Sequence, residues 1–146
     1  MIAIDGRLIP EEIMKDSILI HLAAAYSSVS KRLEQKTHCS ETRGFILSTF
    51  RGGAVLNQNQ IAVLLNFDRT VVHRVVKTLV REGLVSEKKA SFGRAHLLRL
   101  TPKGRRYRAS LIRERRAADE ALRRKLSPRE RATLLRLLKL IAALEF

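Results

Sequence analysis

The chain has one cysteine, few acidic residues and no long run of apolar residues. The single cysteine, Cys39, excludes an intramolecular disulfide framework and leaves an intersubunit bridge or a reduced thiol. No stretch approaches the roughly eighteen continuous apolar residues of a membrane span, and the start, MIAIDGRLIPEE, lacks a basic segment followed by an apolar run. We therefore expect a cytoplasmic protein that has no membrane partner.

The motifs of common enzymes are also missing. The sequence has no glycine-rich phosphate loop, no nucleophile elbow, no Cys-x-x-Cys and no paired-carboxylate motif. The histidines are scattered without the spacing of metal ligands: His21, His38, His73 and His96. We predict that the protein is not an enzyme and that it holds no cofactor and no metal.

Basic residues outnumber acidic residues by about two to one. The sequence has 29 Lys and Arg against 14 Asp and Glu, a net charge of +15. Residues 1–40 carry no net charge, so the whole excess lies in residues 41–146. This balance favours an acidic partner such as double-stranded DNA. A length of 146 residues with 45% apolar content suits a single domain, 1–146.

The segment NFDRTVVHRVVKTLVREGLV predicts an amphipathic helix with a basic outer face. Asp68 is expected to cap it and Gly83 to follow its end. The inward positions recur at helical spacing: Val72, Val75, Val76, Leu79 and Val80. The opposite face carries Arg69, Thr70, His73, Arg74 and Lys77. Such a face is either an ordinary solvated surface or a surface that binds an anion.

The order of elements decides between these interpretations. A helical stripe starts at Pro10 and continues through Ile13, Met14, Ile18, Leu22, Tyr26, Val29 and Leu33. TRGFILSTF predicts a second helix that ends before Gly52-Gly53. Asn57 is expected to cap a third helix, QNQIAVLLN, with Ile61, Leu64 and Leu65 pointing inward.

A β-hairpin and two more helices are predicted after Gly83. The hairpin segments are Leu84 to Lys88 and Ala95 to Leu100, around a turn that contains Ser91-Phe92-Gly93. Thr101 can cap a long arginine-rich helix that starts at Pro102, and Ser127 with Glu130 forms a capping box for a last helix. Three helices followed by a hairpin describe a winged helix-turn-helix, mainly α with a small β-hairpin wing.

Three segments of the chain together resemble the MarR family of bacterial transcriptional regulators. They are LNQNQIAVLLNFDRTVVHRVVKTLVREGLV, RAHLLRLTPKGR and LSPRERATLLRLL. The resemblance implies a homodimer with dimerisation helices at 8–37 and 102–146 and a DNA-binding lobe at 41–101. It implies a cytoplasmic, nucleoid-associated protein of a bacterium or archaeon. Apolar stripes outside the winged helix also need a partner surface to cover them. We expect a signal-responsive repressor that binds a pseudo-palindromic operator.

The resemblance assigns DNA contacts residue by residue. Thr70, His73 and Arg74 match base-facing positions, with Arg74 the strongest candidate, and Arg69 and Lys77 match phosphate-side or groove-side positions. Asn57 and Gln58 either offer amides to phosphate or simply cap a helix. Lys88 and Lys89 either contact phosphate or keep the hairpin edge soluble.

The wing departs from the family pattern. Arg94 matches the arginine that enters the minor groove, but Phe92 stands where many relatives have an aspartate that holds it. Arg94 is then held by another acid such as Glu87 or is freer than usual, and it either contacts DNA or is a solvated hairpin charge. The arginines from Arg105 to Arg124 have two interpretations. Either they bind DNA without sequence preference, as in an architectural DNA-binding protein, or they form the solvated side of a dimer helix.

Signal sensing remains open in the sequence. The resemblance implies a small aromatic or phenolic effector, and the polar or aromatic residues available for a crevice are His21, Tyr26, Arg43 and Phe45, although such residues are usually core. The ligand-binding residues are therefore unknown. Oxidant sensing through Cys39, with Lys36 and His38 nearby, is an alternative to a cysteine with no sensing role.

Overall fold

The computed structural model of the chain describes residues 2–4, 7–9, 15–91 and 96–144. These residues form six helices and two antiparallel hairpins. The helices are α1 (Ile18–Thr37), α2 (Glu41–Thr49), α3 (Gln58–Leu65), α4 (Arg69–Arg81), α5 (Pro102–Lys125) and α6 (Pro128–Ala142). The strands are β1 (Ile2–Ile4), β2 (Arg7–Ile9), β3 (Val85–Lys89) and β4 (His96–Leu100). The chain forms two compact units, Met1–Leu111 and Ile112–Phe146.

A short hairpin precedes α1, where the sequence predicted a helix from residue 8. β1 and β2 pair antiparallel, with Ile2 opposite Ile9. α1 begins at Ile18, where the Ser17 side chain caps it by accepting a hydrogen bond from the Ile20 amide at 3.4 Å. The predicted continuous helix from residue 8 is therefore wrong, since residues 7–9 form a strand and residues 15–17 are not helical. Outside the described residues lie Pro10, Ile13 and Met14.

α3 and α4 are the two helices of a helix-turn-helix. Asn66 ends α3 in the left-handed conformation, with φ of 51°, and the Phe67 amide donates back to the Ala62 carbonyl oxygen at 3.0 Å. Asp68 then caps α4, so the turn between the two helices is only three residues long. The helices that the sequence predicted for this lobe are confirmed to within one residue at their ends.

The second hairpin follows α4 and forms the wing. β3 pairs with β4 from Val85 opposite Leu100 to Lys89 opposite His96. Leu56 adds an isolated bridge to Leu98, with N···O distances of 3.1 and 2.7 Å, and thereby attaches the segment before α3 to the wing. The predicted fold, a mainly α winged helix with a β-hairpin, is confirmed.

The core of the first unit lies between α2, α3, α4 and the wing. Its largest fully buried side chains are Ile46, Leu47, Ile61, Val72, Val76, Leu79, Val85 and Leu98. The expected inward position of Leu64 is wrong, since this side chain is exposed and Ala62 is buried instead. The side of α3 that faces the core carries Ile61, Ala62 and Leu65. Leu64 lies outside this side of the helix.

The second unit consists of the end of α5 and α6. Ser127 caps α6 by accepting from the Glu130 amide at 3.3 Å, while the Glu130 carboxylate accepts from the Ser127 amide at 2.8 Å. The predicted capping box is thus confirmed. α6 buries none of its residues within the chain, and its leucines remain exposed: Leu134, Leu135, Leu137, Leu138 and Leu140. No helix in the described ranges is both long and apolar enough to span a membrane.

Candidate nucleic-acid interface

The start of α4 is fixed by Asp68. Its carboxylate oxygen Oδ1 accepts hydrogen bonds from the amides of Thr70, at 2.7 Å, and Val71, at 3.4 Å. These backbone hydrogen bonds lower the pKa of Asp68, so the cap remains ionised at neutral pH and favours the positive end of the helix dipole. α4 therefore begins at Arg69, as the sequence predicted.

The outer face of α4 is a continuous polar surface. On the opposite side of α4, the side chains of Val72, Val76 and Leu79 are buried in the core. Their burial fixes the rotation of the helix about its own axis. All five predicted contact residues are exposed: Arg69, Thr70, His73, Arg74 and Lys77. We call this set the α4 face. Three of its five side chains are basic, and none is acidic.

The first turn of α3 lies beside the α4 face. The Gln58 side-chain oxygen is 3.0 Å from His73 Nδ1, which brings Gln58 next to the predicted base-facing residues. Asn57 forms a complete capping box with Gln60, with N···O distances of 2.8 and 2.9 Å. The Asn57 side-chain oxygen is therefore occupied by the cap, and a phosphate contact of its amide nitrogen stays a prediction.

The wing carries two further predicted residues on its exposed side. Lys88 and Lys89 are exposed near the tip of β3. Glu87, which the sequence offered as a partner for Arg94, lies 3.3 Å from His96 Nδ1 across the hairpin. Arg94 and Phe92 lie outside the described residues, so the wing-tip contact remains a prediction.

The end of α4 is held by an ion pair that the sequence did not reveal. The Arg43 guanidinium on α2 forms two hydrogen bonds with the Glu82 carboxylate, one of them at 2.9 Å between Nη1 and Oε1. These hydrogen bonds raise the pKa of Arg43 and lower the pKa of Glu82. Arg43 also lies 5.4 Å from the centre of the Tyr107 ring, and Lys103 donates to the Glu82 carbonyl oxygen at 2.8 Å. Residues of α2 and α5 thus hold the same end of α4.

Three of the four residues considered for a ligand crevice have other contacts. His21 Nδ1 is 2.9 Å from the Ser17 carbonyl oxygen, and Tyr26 is exposed. Phe45 packs edge to face on Phe67, with ring centres 6.3 Å apart. The structure therefore gives Phe45 a packing role and Arg43 an ion-pair role in the DNA-binding lobe.

Cys39 lies in the core and not at the surface. Its side chain is 6% exposed, and it packs with the buried residues of α2 and α4. Burial and a hydrogen bond with Cys39 raise the pKa of the Tyr107 hydroxyl. Because an oxidant reaches exposed thiolates most readily, this burial favours a packing role for Cys39. Within the described residues, no three His, Cys, Asp or Glu side chains come together as a metal site.

Comparison with known proteins gives a consistent result. Residues 52–104, which include the α4 face, match the family model of a winged helix DNA-binding domain. The PcaV transcriptional regulator of Streptomyces coelicolor is 23% identical, covering 86% of this chain and 96% of its own, with a TM-score of 0.75. No curated protein sequence gives a significant match.

Two further solved structures are similar to this chain, and one of them is a complex with DNA. A mutant of Escherichia coli MarR, solved with operator DNA, is 21% identical and covers 92% of this chain and 99% of its own, with a TM-score of 0.72. BpsR of Bordetella bronchiseptica, whose DNA binding is regulated by 6-hydroxynicotinic acid, is 18% identical and covers 90% of this chain and 96% of its own, with a TM-score of 0.74.

Residues 52–104 therefore match a winged helix DNA-binding domain, and the chain has the winged helix fold. Over 92% of the chain the fold is similar to that of Escherichia coli MarR, which agrees with the resemblance seen in the sequence.

Proposed function

We propose that the protein is a sequence-specific transcriptional regulator that binds a pseudo-palindromic operator as a homodimer. The observation that carries this proposal is the α4 face, where five exposed polar or basic side chains lie on a helix whose other side is buried. A major groove about 12 Å wide admits one such helix and presents base edges to its outer side chains. The Asp68 cap and the Arg43–Glu82 ion pair support the proposal because they fix both ends of α4.

Each side chain has a contact that suits its chemistry. Arg74 can donate two hydrogen bonds to a guanine, and Thr70 can meet a thymine methyl group. His73 adds a third base-facing group, and its contact with Gln58 positions both side chains. The remaining cations suit phosphate or groove contacts: Arg69, Lys77, Lys88, Lys89 and Arg94.

The homodimer is proposed from the apolar surface that the single chain leaves exposed. α6 presents a row of leucines to solvent, and α1 leaves Ile18, Leu19 and Tyr26 exposed. Exposed apolar surface of this extent is usually covered by a partner. A two-fold dimer would place the two α4 helices in successive major grooves, with half-sites about 34 Å apart.

Regulation by a small molecule is the second part of the proposal. A dimer bound at a promoter would block transcription from it, so the protein would act as a repressor. We place this activity in the cytoplasm. A molecule that changes the separation of the two α4 helices would lower the affinity for the operator, since both must fit at once. The relative regulated by 6-hydroxynicotinic acid supports an aromatic effector.

A binding titration tests the central claim. The protein is titrated against the intergenic DNA upstream of its own coding sequence and against a scrambled duplex of equal length, at about 150 mM salt. We expect a preference of about 10³ or more for the upstream DNA, or for a fragment selected from genomic DNA if the operator lies elsewhere. Equal affinity for every fragment would show instead the architectural DNA binding that the +15 net charge and the arginines of α5 suggest.

Replacing Arg74 with alanine tests how the operator is read. We expect Arg74→Ala to weaken operator binding by about 1–3 kcal/mol and binding to scrambled DNA only slightly, because a base contact is lost and the phosphate contacts remain. Arg81→Ala is the control, since Arg81 is also exposed on α4 but lies outside the α4 face. Equal losses on both DNAs, or equal losses for both variants, would contradict the role assigned to Arg74.

A further inference from the structure

An open groove lies on the outer side of α3, and two exposed apolar side chains form part of its lining. Val63 and Leu64 are 78% and 63% exposed, whereas Ile61 on the same helix is completely buried. Packing within the single chain therefore does not account for two large apolar side chains at adjacent exposed positions. The groove has a volume of about 400 Å³, and we call it the α3 groove. It is lined by Leu56, Asn57, Asn59, Gln60, Val63 and Leu64.

The α3 groove lies in the longest uncharged stretch of the chain. Residues 52–67 contain no Lys, Arg, Asp or Glu, in a sequence whose net charge is +15. Two copies of so basic a protein repel each other, and a strongly acidic partner would be attracted to the basic surfaces instead. A surface without charge is where two copies of this chain can approach with the least repulsion.

The polar residues at the rim of the groove suit contact with a second copy. Asn59 and Gln60 carry amide groups, and an amide both donates and accepts hydrogen bonds, so it can pair with the same residue across a two-fold axis. The Gln60 side-chain oxygen accepts from the Asn57 amide at 2.8 Å, which leaves the Gln60 NH2 group to donate outward. These groups need no partner of opposite charge.

α3 places the groove close to the surface that we propose binds DNA. The Gln58 side-chain oxygen, in the first turn of α3, is 3.0 Å from Nδ1 of His73 on the α4 face. Val63 lies about 7.5 Å further along α3, at the helical rise of 1.5 Å per residue. A partner seated on the groove would therefore lie beside the DNA, where a second dimer bound to an adjacent site could reach it.

The α3 groove is too small to hold two copies together in free solution. A stable interface takes about 20–30 residues from each partner. Six residues line this groove. On DNA the balance differs, because the phosphates offset the positive charge and the duplex holds both copies at a high effective concentration. Contact through the α3 groove is then expected only between copies bound to the same DNA molecule.

We infer that the α3 groove joins neighbouring dimers on DNA, so that one bound dimer recruits a second to the adjacent site. The inference rests on the DNA binding proposed above and adds cooperative occupancy of adjacent sites to it. A tenfold gain in affinity for the second dimer corresponds to about 1.4 kcal/mol. Full burial of a single valine or leucine side chain provides at least this much, and each copy contributes one of each.

Titration of the full chain against duplexes with one and two sites tests the inference. One fragment carries a single operator, and the others carry two operators whose spacing is increased in single base pairs over one helical turn. At the favourable spacing we expect the second dimer to bind about tenfold or more tightly than the first. Val63→Ala/Leu64→Ala should abolish this gain and leave the affinity for the single operator unchanged, because both side chains are exposed and the net charge stays the same. Leu97→Ala is the matched control, since it truncates an exposed leucine of the same lobe that does not line the groove, and it should remain cooperative.

A second variant separates loss of the contact from loss of structure. Asn59→Lys adds a cation to the exposed rim of the groove, so the affinity for the single operator should stay the same or rise. Cooperativity should fall, because two like charges would face each other between the dimers. A structural defect in the lobe would instead lower both quantities.

Failure of this inference is distinguishable from failure of the proposed function. If no fragment is preferred over scrambled DNA, scrambled duplexes that hold one and two dimers replace the operators, and cooperativity is measured in the same way. Independent binding by the wild type at every spacing would overturn the inference. Cooperativity that survives in Val63→Ala/Leu64→Ala would also overturn it, since another surface would then join the dimers and the α3 groove would be left to a different protein. A lower affinity of this variant for the single operator would show that the groove contacts DNA instead.

Discussion

Replacing Gly104 with alanine is expected to lower the free energy of unfolding by about 3 kcal/mol or more. A Cβ atom at this position would lie 1.9 Å from the Leu84 carbonyl oxygen and 2.9 Å from its carbonyl carbon. Both atoms belong to the backbone, so the first turn of α5 and the start of the wing would have to move apart. Urea unfolding at a fixed protein concentration measures the effect, with far-UV circular dichroism as the signal.

Helix propensity makes this a demanding test. Alanine is favoured over glycine in a helix interior by about 1 kcal/mol, so without the close contact Gly104→Ala would stabilise the protein. Arg106→Ala on the same helix is the control, and it should change stability by no more than about 0.5 kcal/mol because the side chain is exposed. An increase in stability for Gly104→Ala would show that α5 does not approach Leu84 so closely.

The close contact at Gly104 also has a functional consequence. The Thr101 hydroxyl donates to the Gly83 carbonyl oxygen at 2.6 Å and accepts from the Gly104 amide at 3.0 Å. The Thr101 amide donates to the Leu84 carbonyl oxygen at 3.0 Å. The start of α5 is thereby fixed to the turn that ends α4. A change in the direction of α5 would be transmitted to the helix that we propose reads the operator.

Local signals in the sequence predicted the starts of α3, α4, α5 and α6 correctly. Asp68, Ser127 and Asn57 were identified as caps from residue type and spacing alone, because a cap is formed by neighbours a few residues apart. Thr101 and Pro102 likewise marked the start of α5. Gly104 was missed, although a glycine inside a helix pattern is a signal of close backbone approach.

Contacts between distant residues could not be predicted in the same way. Arg43 and Glu82 are 39 positions apart, and nothing in either segment identifies the other as its partner. The start of α1 was misplaced because the apolar stripe continues upstream through Ile13 and Met14, whereas the Ser17 cap sets the observed boundary. Helix periodicity reports which side of a segment is apolar but not where the hydrogen-bonded helix begins.

The α4 face could be predicted because a single helix carries all of it. Its apolar side fixes its orientation, so the residues on the opposite side follow from spacing alone. The cavity of about 290 Å³ at the base of the wing could not be predicted, because Gly52, Arg99 and Arg108 come from three separate segments that only the fold brings together.

Disrupting the apolar face of α6 should convert the protein to a monomer and remove most of its operator affinity. Leu134 and Leu137 are 44% and 41% exposed in the single chain, and we propose that a second copy covers them. In a two-fold dimer Leu134→Gln/Leu137→Gln removes four leucines from the interface. The lost apolar contact and the buried glutamine amide together cost about 1.5 kcal/mol for each side chain, so the dimer loses about 6 kcal/mol, a rise of about 10⁴ in its dissociation constant. Light scattering after size-exclusion chromatography should give the mass of one chain at micromolar concentration.

Operator binding should fall with the loss of the dimer. Two linked recognition helices gain about 10²–10⁴ in affinity over one, so the double variant should lose at least about 100-fold on the operator. Arg136→Gln/Lys139→Gln is the matched control, because these exposed residues have the same spacing on the polar side of α6. This control should remain a dimer. If the leucine variant also remains a dimer and keeps its operator affinity, α6 does not form the interface, and the exposed side chains of α1 become the next surface to test.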